Sequence, residues 1–308
     1  MMNKRWDVLG IGVAAVDDLV FVEHFPQPDV KMPIKYKQRQ GGGLAATALV
    51  TAARLGKRVA YCACLGNDEL SAYTISELQR EGVDCSQVQI VEQARPFHSI
   101  IIVDLSVGSR TILYSSEGFT EPDPARITDQ LVRECKVLLI DSFVLKTGLH
   151  AAKLGQACQV PVVADVELPL VPELDQFVSL VDHLIIGTTM GAAMTGKDDP
   201  AEMVRELART GRTCTVVTAG ELGCWYVEGQ GEVQHYPAFE VQVVDTTGCG
   251  DVFHGAYATA LANGEDVSRA IAIATASAGL KAAQPGGRTG IPDRTRVEEF
   301  LREMGNAV

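Results

Sequence analysis

The chain has 308 residues, a formal charge of −12 and an apolar fraction of 46%. A chain this apolar can bury a large core, which excludes a disordered tail, and its length allows one large α/β domain or one domain with a small appendage. The excess of acid argues against binding to nucleic acid or to a membrane surface, because both partners require a basic face. An anionic ligand must therefore be held locally, by backbone amides, a metal ion or a few placed cations.

The eight cysteines are scattered, with no CxxC pair and no short disulfide-type spacing, which favours a reducing compartment. The apolar run 8–16 is short, contains glycine and is followed by Asp17 and Asp18, so we interpret it as a first β-strand and not as a signal peptide. Because the chain also lacks an uninterrupted apolar segment of about 18 residues, we expect a cytoplasmic protein.

Strand and helix patterns then alternate along the chain. A glycine-rich turn at 41–43 leads into a helix of small residues that ends near Gly56. Apolar, β-branched strands alternating with helices predict an α/β fold, a doubly wound and mostly parallel sheet flanked by helices on both faces. The further predicted elements are strands at 59–66, 136–142, 160–166, 182–187 and 213–220, and helices at 69–82, 150–159 and 201–210.

Two stretches, 17–40 and 96–116, break this alternation. Both read as antiparallel strands without a helix, and the second forms a hairpin pattern around a turn at 106–109. We predict one α/β domain over 1–308, from which these two insertions project as a small β-sheet lid over a site.

The most informative motif is Asp-Thr-Thr-Gly-Cys-Gly-Asp at 245–251. It follows a strand and opens a helix, so small residues at Gly248, Cys249 and Gly250 leave the first amides of the helix free. Those amides and the helix dipole suit a phosphoryl group in transfer. Asp251 lies at the helix start, where a carboxylate can accept the proton of an attacking hydroxyl. An aspartate that only caps the helix would not require the preceding Gly-x-Gly.

Three other glycine-rich patterns support a ligand site but are weaker when taken singly. They are the turn 41–43, the pattern Thr218-x-Gly220-x-x-Gly223 at a strand end, and the loop 284–292. In an open α/β sheet, ligands bind beyond the carboxyl ends of the strands. Each pattern also has a purely structural interpretation, as a helix entry, a tight turn or a surface loop.

Two patterns resemble nucleotide motifs without the required context. Gly10-x-Gly12 follows a strand, as in dinucleotide-binding proteins, but no helix follows to receive a pyrophosphate. The run from Gly191 to Lys197 nearly matches the ATP-binding P-loop, but Asp198 stands where that motif requires Ser or Thr. We interpret the second run as a helix end capped by Gly196.

Together these motifs resemble the ribokinase-like (PfkB) carbohydrate kinase family over nearly the whole chain. Within the family, the segments 41–56, 245–256 and 285–293 are most similar to the sulfofructose kinase branch, and the segment 12–17 is similar to ketohexokinases. The resemblance implies transfer of the ATP γ-phosphoryl group to a primary hydroxyl of a sugar, a ketose or a sulfofructose-like sugar. It also implies Mg²⁺, a monovalent cation such as K⁺, and a homodimer formed through the lid.

The resemblance also assigns residues by position. Asp251 would be the catalytic base, and Gly248, Cys249 and Gly250 would supply the anion-hole amides. The sugar would be bound by Asp17, Gly42, Gly43 and Thr47, with Lys31 and Arg110 of the lid as candidates to hold an anionic substituent. The ATP site would include Thr218, Gly220, Gly223, Ala276 and Gly287. Asp165 and Glu167 are the candidates for Mg²⁺, and Asp245 and Thr246 for the monovalent cation.

The chain departs from the family pattern at several positions. Cys249 replaces the usual alanine, and Leu44 and Thr47 replace a lysine and an asparagine of ribokinases, which argues against ribose. The family's Asn-x-x-Glu motif would fall at 187–190, where neither residue is present. The alternatives left open are a fructokinase or ketohexokinase type, a ribose or nucleoside kinase, a nicotinamide-dependent oxidoreductase and a non-catalytic sugar sensor.

Overall fold

The computed structural model describes residues 4–107, 109–167, 170–209 and 211–305. Two predicted features extend beyond these ranges, because the turn at 106–109 includes Gly108 and the helix at 201–210 ends at Thr210. Within the described ranges, no helix combines the length and the apolar character needed to cross a membrane.

A nine-stranded sheet forms the centre of the described chain, in the order β15-β14-β13-β12-β11-β10-β1-β4-β6. The strands from β6 to β13 in this order are parallel, and β14 and β15 add antiparallel at one edge. Numbered in chain order, its members are β1 (Trp6–Ile11), β4 (Val59–Cys62), β6 (Val83–Asp84), β10 (Cys135–Asp141), β11 (Val162–Asp165), β12 (His183–Gly187), β13 (Cys214–Thr218), β14 (Cys224–Glu228) and β15 (Gln234–Tyr236).

Helices cover both faces of this sheet, which confirms the predicted doubly wound architecture. One apolar cluster lies beneath α1, α2, α8, α9 and α10, and a second lies on the opposite face beneath α3 to α7. The helices are α1 (Leu44–Arg54), α2 (Glu69–Arg80), α3 (Asp129–Arg133), α4 (Leu145–Cys158), α5 (Pro172–Leu180), α6 (Thr188–Thr195), α7 (Pro200–Leu207), α8 (Cys249–Asn263), α9 (Val267–Ala282) and α10 (Arg294–Glu303). Gly196 ends α6 in the left-handed conformation, as the sequence predicts.

A separate four-stranded sheet contains the two stretches that interrupt the alternation, in the order β3-β2-β8-β9. Its strands are β2 (Ala15–Val22), β3 (Tyr36–Gly42), β8 (Phe97–Asp104) and β9 (Ser109–Ser115). β2 pairs antiparallel with β3 and parallel with β8, and β8 forms the antiparallel hairpin with β9. We call this sheet the lid sheet, and its role in covering a site stays a prediction.

The single strand predicted at 59–66 is wrong in one respect, because the chain divides it between two sheets. β4 belongs to the central sheet, whereas β5 (Cys64–Leu65) pairs with β7 (Gln89–Ile90) in a two-stranded sheet. Cys62 and Cys64 on the two sides of the break are both buried and free. They therefore contribute to the core as small apolar side chains.

The carboxyl ends of the parallel strands lie at one edge of the central sheet. β10 and β11 end there at Asp141 and Asp165, which are register partners. α8 also begins at this edge, because its N-terminal residues Asp251 and His254 lie against the end of β11. In open α/β sheets this edge is where ligands bind.

Candidate active site

The N-terminus of α8 presents free backbone donors beside a carboxylate. Gly248 precedes the helix in the left-handed conformation (φ 75°), and a Cβ there would lie 2.8 Å from the carbonyl oxygen of Gly287. The amides of Gly248 and Gly250 have no hydrogen-bond acceptor among the described residues. A Cβ at Gly250 would meet no protein atom within 4 Å, so the fold itself leaves open space at this position. Asp251 follows as the third residue of the helix.

Cys249 contributes less to this donor set than the sequence predicts. Its amide already donates to the carbonyl oxygen of Thr246 at 3.2 Å, which closes the turn before the helix. Its thiol faces the carbonyl oxygen of Ala278 at 3.6 Å, and burial raises the pKa of the thiol. The predicted three-amide hole therefore consists mainly of Gly248 and Gly250.

Four carboxylates gather at the same end of the sheet. Burial raises the pKa of Asp251, and the neighbouring charges of Asp165 and Glu167 raise it further. Burial likewise raises the pKa values of Asp165 and Glu167. Burial also raises the pKa of Asp141 to about 7, against the hydrogen bonds that its carboxylate accepts from backbone amides. This concentration of buried negative charge favours a ligand that carries positive charge.

Asp165 has an orphaned oxygen that points to such a ligand. The carboxylate is buried, and its Oδ2 has no hydrogen-bond partner in the described chain. His254 Nδ1 lies 3.3 Å from that oxygen but faces the carbonyl oxygen of Gly250 at 2.8 Å, and its Nε2 faces Ile185 O at 3.1 Å. A buried carboxylate oxygen without a donor is costly, so a metal ion or water is expected to satisfy it.

The lid sheet brings Asp17 against the glycine turn. Asp17 lies on β2 opposite Gln40 of β3, and a Cβ at Gly42 would lie 2.5 Å from its Oδ2. Burial raises the pKa of Asp17, while a hydrogen bond with Ser99 lowers it. Gly43 has φ 89° and caps α1, and a Cβ there would lie 2.5 Å from the Cα of Ala14. Asp17 and Gly42 are therefore adjacent, and their role in binding a sugar stays a prediction, whereas Gly43 is explained by the turn itself.

Thr47 does not offer a free hydroxyl to a sugar, which corrects its predicted role. It is fully buried in α1, and its Oγ1 accepts a hydrogen bond from Arg288 Nε at 3.0 Å. Arg288 forms an ion pair with Glu77 and donates from Nη2 to the carbonyl oxygen of Gly42 at 2.6 Å. The hydroxyl of Thr47 therefore serves to hold a buried arginine.

The two predicted lid cations have different environments. Arg110 on β9 reaches out of the lid sheet, because its Nη1 donates to Asp245 Oδ1 at 2.6 Å and also to the hydroxyl of Thr247. Lys31 is exposed in the segment between β2 and β3 and has no ion pair or hydrogen bond within the described ranges. Arg110 is thus placed beside the loop that precedes α8, whereas the structure gives no contact that ties Lys31 to the site.

Comparison with known proteins decides the family. The model of the pfkB family carbohydrate kinases matches residues 7–294. The chain belongs to this family. Ribokinase from Haemophilus influenzae is 27% identical and aligns over 97% of this chain and 99% of its own length. Ketohexokinase from Mus musculus is 26% identical, with 89% and 95% covered. The solved structure of Arabidopsis thaliana ribokinase complexed with ribose and ATP has a TM-score of 0.83 at 22% identity, with 98% of this chain and 99% of that chain covered.

The chain is thus a carbohydrate kinase of the PfkB family, and the residues expected at its ATP side lie in different surroundings. Thr218 ends β13, half-buried, and its hydroxyl donates to the carbonyl oxygen of Ile186 at 3.3 Å. Gly220 has φ 58° and open space around a Cβ, whereas a Cβ at Gly223 would lie 2.1 Å from Tyr236 O. Gly220 therefore leaves space for a nucleotide, Thr218 is bonded to the neighbouring strand β12, and Gly223 is required by the turn.

The surroundings of Ala276 and Gly287 give no direct support to their predicted role at the adenine end. Ala276 is fully buried in the apolar core beneath α9, so its side chain does not line an open adenine site. Gly287 lies against Gly248, and its amide donates to Gln40 Oε1 at 3.2 Å. Gly287 is therefore part of the junction between α8 and β3. In a helix of small residues or in a glycine loop, the sequence does not show which residues face a ligand and which face the core.

The carboxylates fit the Mg²⁺ that the family implies, on the evidence of the orphaned Asp165 oxygen. In the part of the chain that the structure describes, no three His, Cys, Asp or Glu side chains form a ready metal site. A divalent ion beside Asp165 and Glu167 would therefore take most of its ligands from ATP and water, as Mg²⁺ usually does.

The residues predicted to bind K⁺ make several hydrogen bonds within the chain. The carbonyl oxygen of Asp245 accepts from Lys281 Nζ at 2.7 Å, and its Oδ2 accepts from the amide of Gly286 at 2.9 Å. Burial acts to raise the pKa of Asp245, but hydrogen bonds from Thr247 and Gly286 outweigh it and lower the pKa to about 2. The carbonyl oxygen of Thr246 is bonded to Cys249. Each of these oxygens accepts a hydrogen bond within the chain, and the K⁺ site stays a prediction.

Several residues of the site were not found by sequence reasoning. Arg288, Glu77, Asp141 and His254 all make buried polar contacts there. The one available signal was Arg288, a charged residue inside a loop otherwise made of small residues. Glu77 lies on a helix with other charges and gives no sign that it is buried.

Proposed function

We propose that this kinase transfers the γ-phosphoryl group of ATP to a primary hydroxyl of a sugar, with Asp251 as the base. The observation that carries the proposal is the position of Asp251 beside the unpartnered amides of Gly248 and Gly250 at the start of α8. Amides at a helix N-terminus stabilise a phosphoryl group in transfer, and the raised pKa of Asp251 suits a proton acceptor. Asp17 beside Gly42 would hold the sugar hydroxyls.

The reaction then follows from these positions. The sugar oxygen forms a bond to the γ-phosphorus while its proton passes to Asp251. The bond between that phosphorus and the β,γ-bridging oxygen breaks, and its electron pair leaves with ADP. The amides of Gly248 and Gly250 stabilise the charge on the transferred group. Asp165 and Glu167 would hold Mg²⁺ through water, and the ion would supply positive charge to neutralise the ATP phosphates.

The proposal is tested by Asp251→Asn. The substitution keeps the shape of the side chain but removes the proton acceptor, so turnover should fall by about 10²–10⁴-fold or more. Binding of a non-hydrolysable ATP analogue, measured calorimetrically, should change little. Turnover within about tenfold of the unaltered enzyme would contradict the base assignment.

We further propose a ketose as the sugar, with a sulfofructose-like sugar as the first compound to test. The support is the similarity of three segments to the sulfofructose kinase branch, together with the similarity to ketohexokinase. The pairing of the lid cations gives a reason for a second candidate, a neutral sugar such as a fructokinase or ketohexokinase would phosphorylate. Most lid cations are paired within the chain, such as Lys35 with Glu23 and Arg39 with Asp18. An ATP-coupled screen of ketoses, pentoses, nucleosides, and sulfonated or phosphorylated sugars separates these candidates.

We also propose a homodimer formed through the lid sheet. The support is β9, an edge strand on which all seven residues are exposed, with Ile112 at 48%, Leu113 at 55% and Tyr114 at 72% exposure. An open apolar edge of this length favours pairing with a second copy. Ile112→Lys should convert a dimer into a monomer in light-scattering chromatography, and an unaltered enzyme that is already monomeric would refute this interface.

A further inference from the structure

A buried arginine joins the phosphate side of the proposed site to its sugar side. We call residues 41–43 the sugar-side turn and residues 284–290 the glycine loop. Arg288 of the glycine loop is 3% exposed, and its guanidinium contacts three separate elements. Its donors reach Thr47 of α1 at 3.0 Å, the carbonyl oxygen of Gly42 at 2.6 Å, and the carboxylate of Glu77 in α2.

The same loop also contacts the residues that precede and begin α8. The amide of Gly286 donates to Asp245 Oδ2 at 2.9 Å, and the carbonyl oxygen of Gly287 lies where a Cβ on Gly248 would need space. The amide of Gly287 donates to Gln40 Oε1 at 3.2 Å, on the strand that enters the sugar-side turn. The glycine loop therefore spans the distance between the anion-hole residues and the sugar-side turn.

The backbone of the sugar-side turn is shaped around this arginine. A Cβ at Gly41 would lie 2.0 Å from Glu77 Oε2 and 2.3 Å from Arg288 Nη1, so only glycine admits the ion pair there. The next residue, Gly42, admits Asp17 on the other side of the turn. The turn is thus fixed between the Arg288–Glu77 pair and the aspartate proposed to bind sugar.

We infer that Arg288 is a positioning residue that couples nucleotide binding at the α8 N-terminus to sugar binding at the sugar-side turn. A planar guanidinium that holds three acceptors in fixed directions transmits a displacement of the loop to the carbonyl oxygen of Gly42. A nucleotide that orders the loop beside Gly248 then orders the turn that receives the sugar. The inference rests on the proposed function, because the proposed function places the sugar at Asp17 and Gly42.

The electrostatic effect of Arg288 supports its position between the α8 N-terminus and the sugar-side turn. Its positive charge lowers the pKa values of both Asp17 and Asp251, against the burial that raises them. Arg288 is therefore close enough to both carboxylates to favour their ionised forms. All three of its named acceptors belong to the protein, so it is not the group that would hold an anionic substituent of the sugar.

The test uses a paired substitution that avoids an unpaired buried charge. Removing Arg288 alone would leave Glu77 buried without a partner, which is strongly destabilising, whereas replacing a buried pair by apolar side chains of similar size is often neutral. The variant is therefore Arg288→Met combined with Glu77→Met. The matched control is Arg54→Met combined with Glu81→Met, because Arg54 forms an ion pair with Glu81 at 2.8 Å and this double substitution also removes both partners. Arg54 holds the opposite side of the same loop, through the carbonyl oxygens of Arg288 at 2.8 Å and Ile291 at 3.1 Å, and these bonds do not involve the sugar-side turn.

The first measurement needs no sugar. In the unaltered enzyme, a non-hydrolysable ATP analogue should slow amide hydrogen exchange in the segment 40–47. The Arg288/Glu77 variant should still bind the analogue but lose this protection, and the Arg54/Glu81 control should keep it. Protection that survives in the Arg288/Glu77 variant, or that the control abolishes equally, would overturn the inference, since loop stiffness alone would then account for it.

The second measurement uses the sugar identified in the screen. Each ligand should tighten the other, by a factor of about 5–150 as is typical of coupled sites, and the Arg288/Glu77 variant should reduce this factor to near one. Asp17→Asn separates the two proposals. If that substitution leaves sugar affinity unchanged while Arg288-dependent protection persists, the sugar site is wrong, and only the link from the nucleotide to the turn stands. If it weakens sugar binding but the Arg288/Glu77 variant keeps the coupling factor, the role of Arg288 is wrong and the sugar site stands.

Discussion

Gly250 offers a test in which stability and activity should move in opposite directions. It is the second residue of α8, and its φ lies outside the left-handed region that requires glycine. A Cβ added there would meet no protein atom within 4 Å. The fold therefore gives no steric reason for glycine at this position, and we attribute it to the close approach of a phosphate.

The magnitude of each effect follows from this geometry. Alanine in a helix is more stable than glycine by about 0.5–1 kcal/mol, so Gly250→Ala should raise the melting temperature by about 1–3 °C in a chain of this size. Displacing a phosphoryl group from one anion-hole amide costs about 10²–10³-fold in kcat. Gly248→Ala is the contrasting variant. Its left-handed φ of 75° and the 2.8 Å approach to Gly287 O would make alanine strained, so its melting temperature should fall.

Both variants are measured by thermal unfolding without ligand and by an ATP-coupled assay with the best sugar from the screen. Loss of activity in Gly250→Ala together with unchanged or raised stability would support a phosphate against the α8 N-terminus. If Gly250→Ala keeps kcat within about threefold of the unaltered enzyme, the amides do not act on the transferred group. A lowered melting temperature for this variant would show that the protein itself needs glycine there.

Two further predictions concern charge. The folded-state pKa of Asp141 is about 7, above its ordinary value of 3.8, so its contribution to stability is complete below the ordinary value and is lost as pH rises through 7. The melting temperature of the ligand-free enzyme should therefore fall between about pH 4 and 7 and level off above this range. Asp141→Asn should flatten this slope in scans at several pH values, and an equal slope in both proteins would contradict the raised pKa. Arg110→Met removes a half-exposed cation beside Asp245. If Arg110 holds a sulfonate, the KM for a sulfonated sugar should rise by about 10-fold or more, whereas the KM for a neutral sugar should change little. An equal change in KM for both sugars would place Arg110 outside the sulfonate site.

The fold could be predicted because its signals are local and repeated. Apolar strands alternate with helices over most of the chain, and the two interrupting stretches lack any helical period, which separates the lid sheet from the central sheet. The division of 59–66 between β4 and β5 could not be foreseen. The apolar run is continuous in the sequence, and the break at Ala63 arises only because β5 pairs with a strand that is recognisable solely in three dimensions.

The candidate site was predicted where a motif fixes the backbone and missed where a side chain could point in several directions. The position of Asp251 at the start of α8 follows from the glycines before it. The sequence pattern leaves the hydroxyl of Thr47 available to a sugar. In the structure this hydroxyl accepts a hydrogen bond from Arg288, which is 241 positions away in the chain, and a contact over such a separation leaves no local signal. Similarly, the burial of Ala276 depends on the rotation of α9 about its axis, and a helix of small residues gives no apolar period from which to read that rotation.

The charge distribution explains how an acidic chain can hold ATP. The net charge of −12 belongs mostly to exposed carboxylates, whose fields are screened beyond about 10 Å at 0.1 M salt. Near the start of α8, where four carboxylates gather, Arg110 and Lys281 add two cations that both bond to Asp245. Free amides, two local cations and an orphaned Asp165 oxygen that fits Mg²⁺ together act at contact distance. At that distance the overall charge of the protein has little influence, so the acid excess that excludes polyanionic partners is compatible with a tightly held triphosphate.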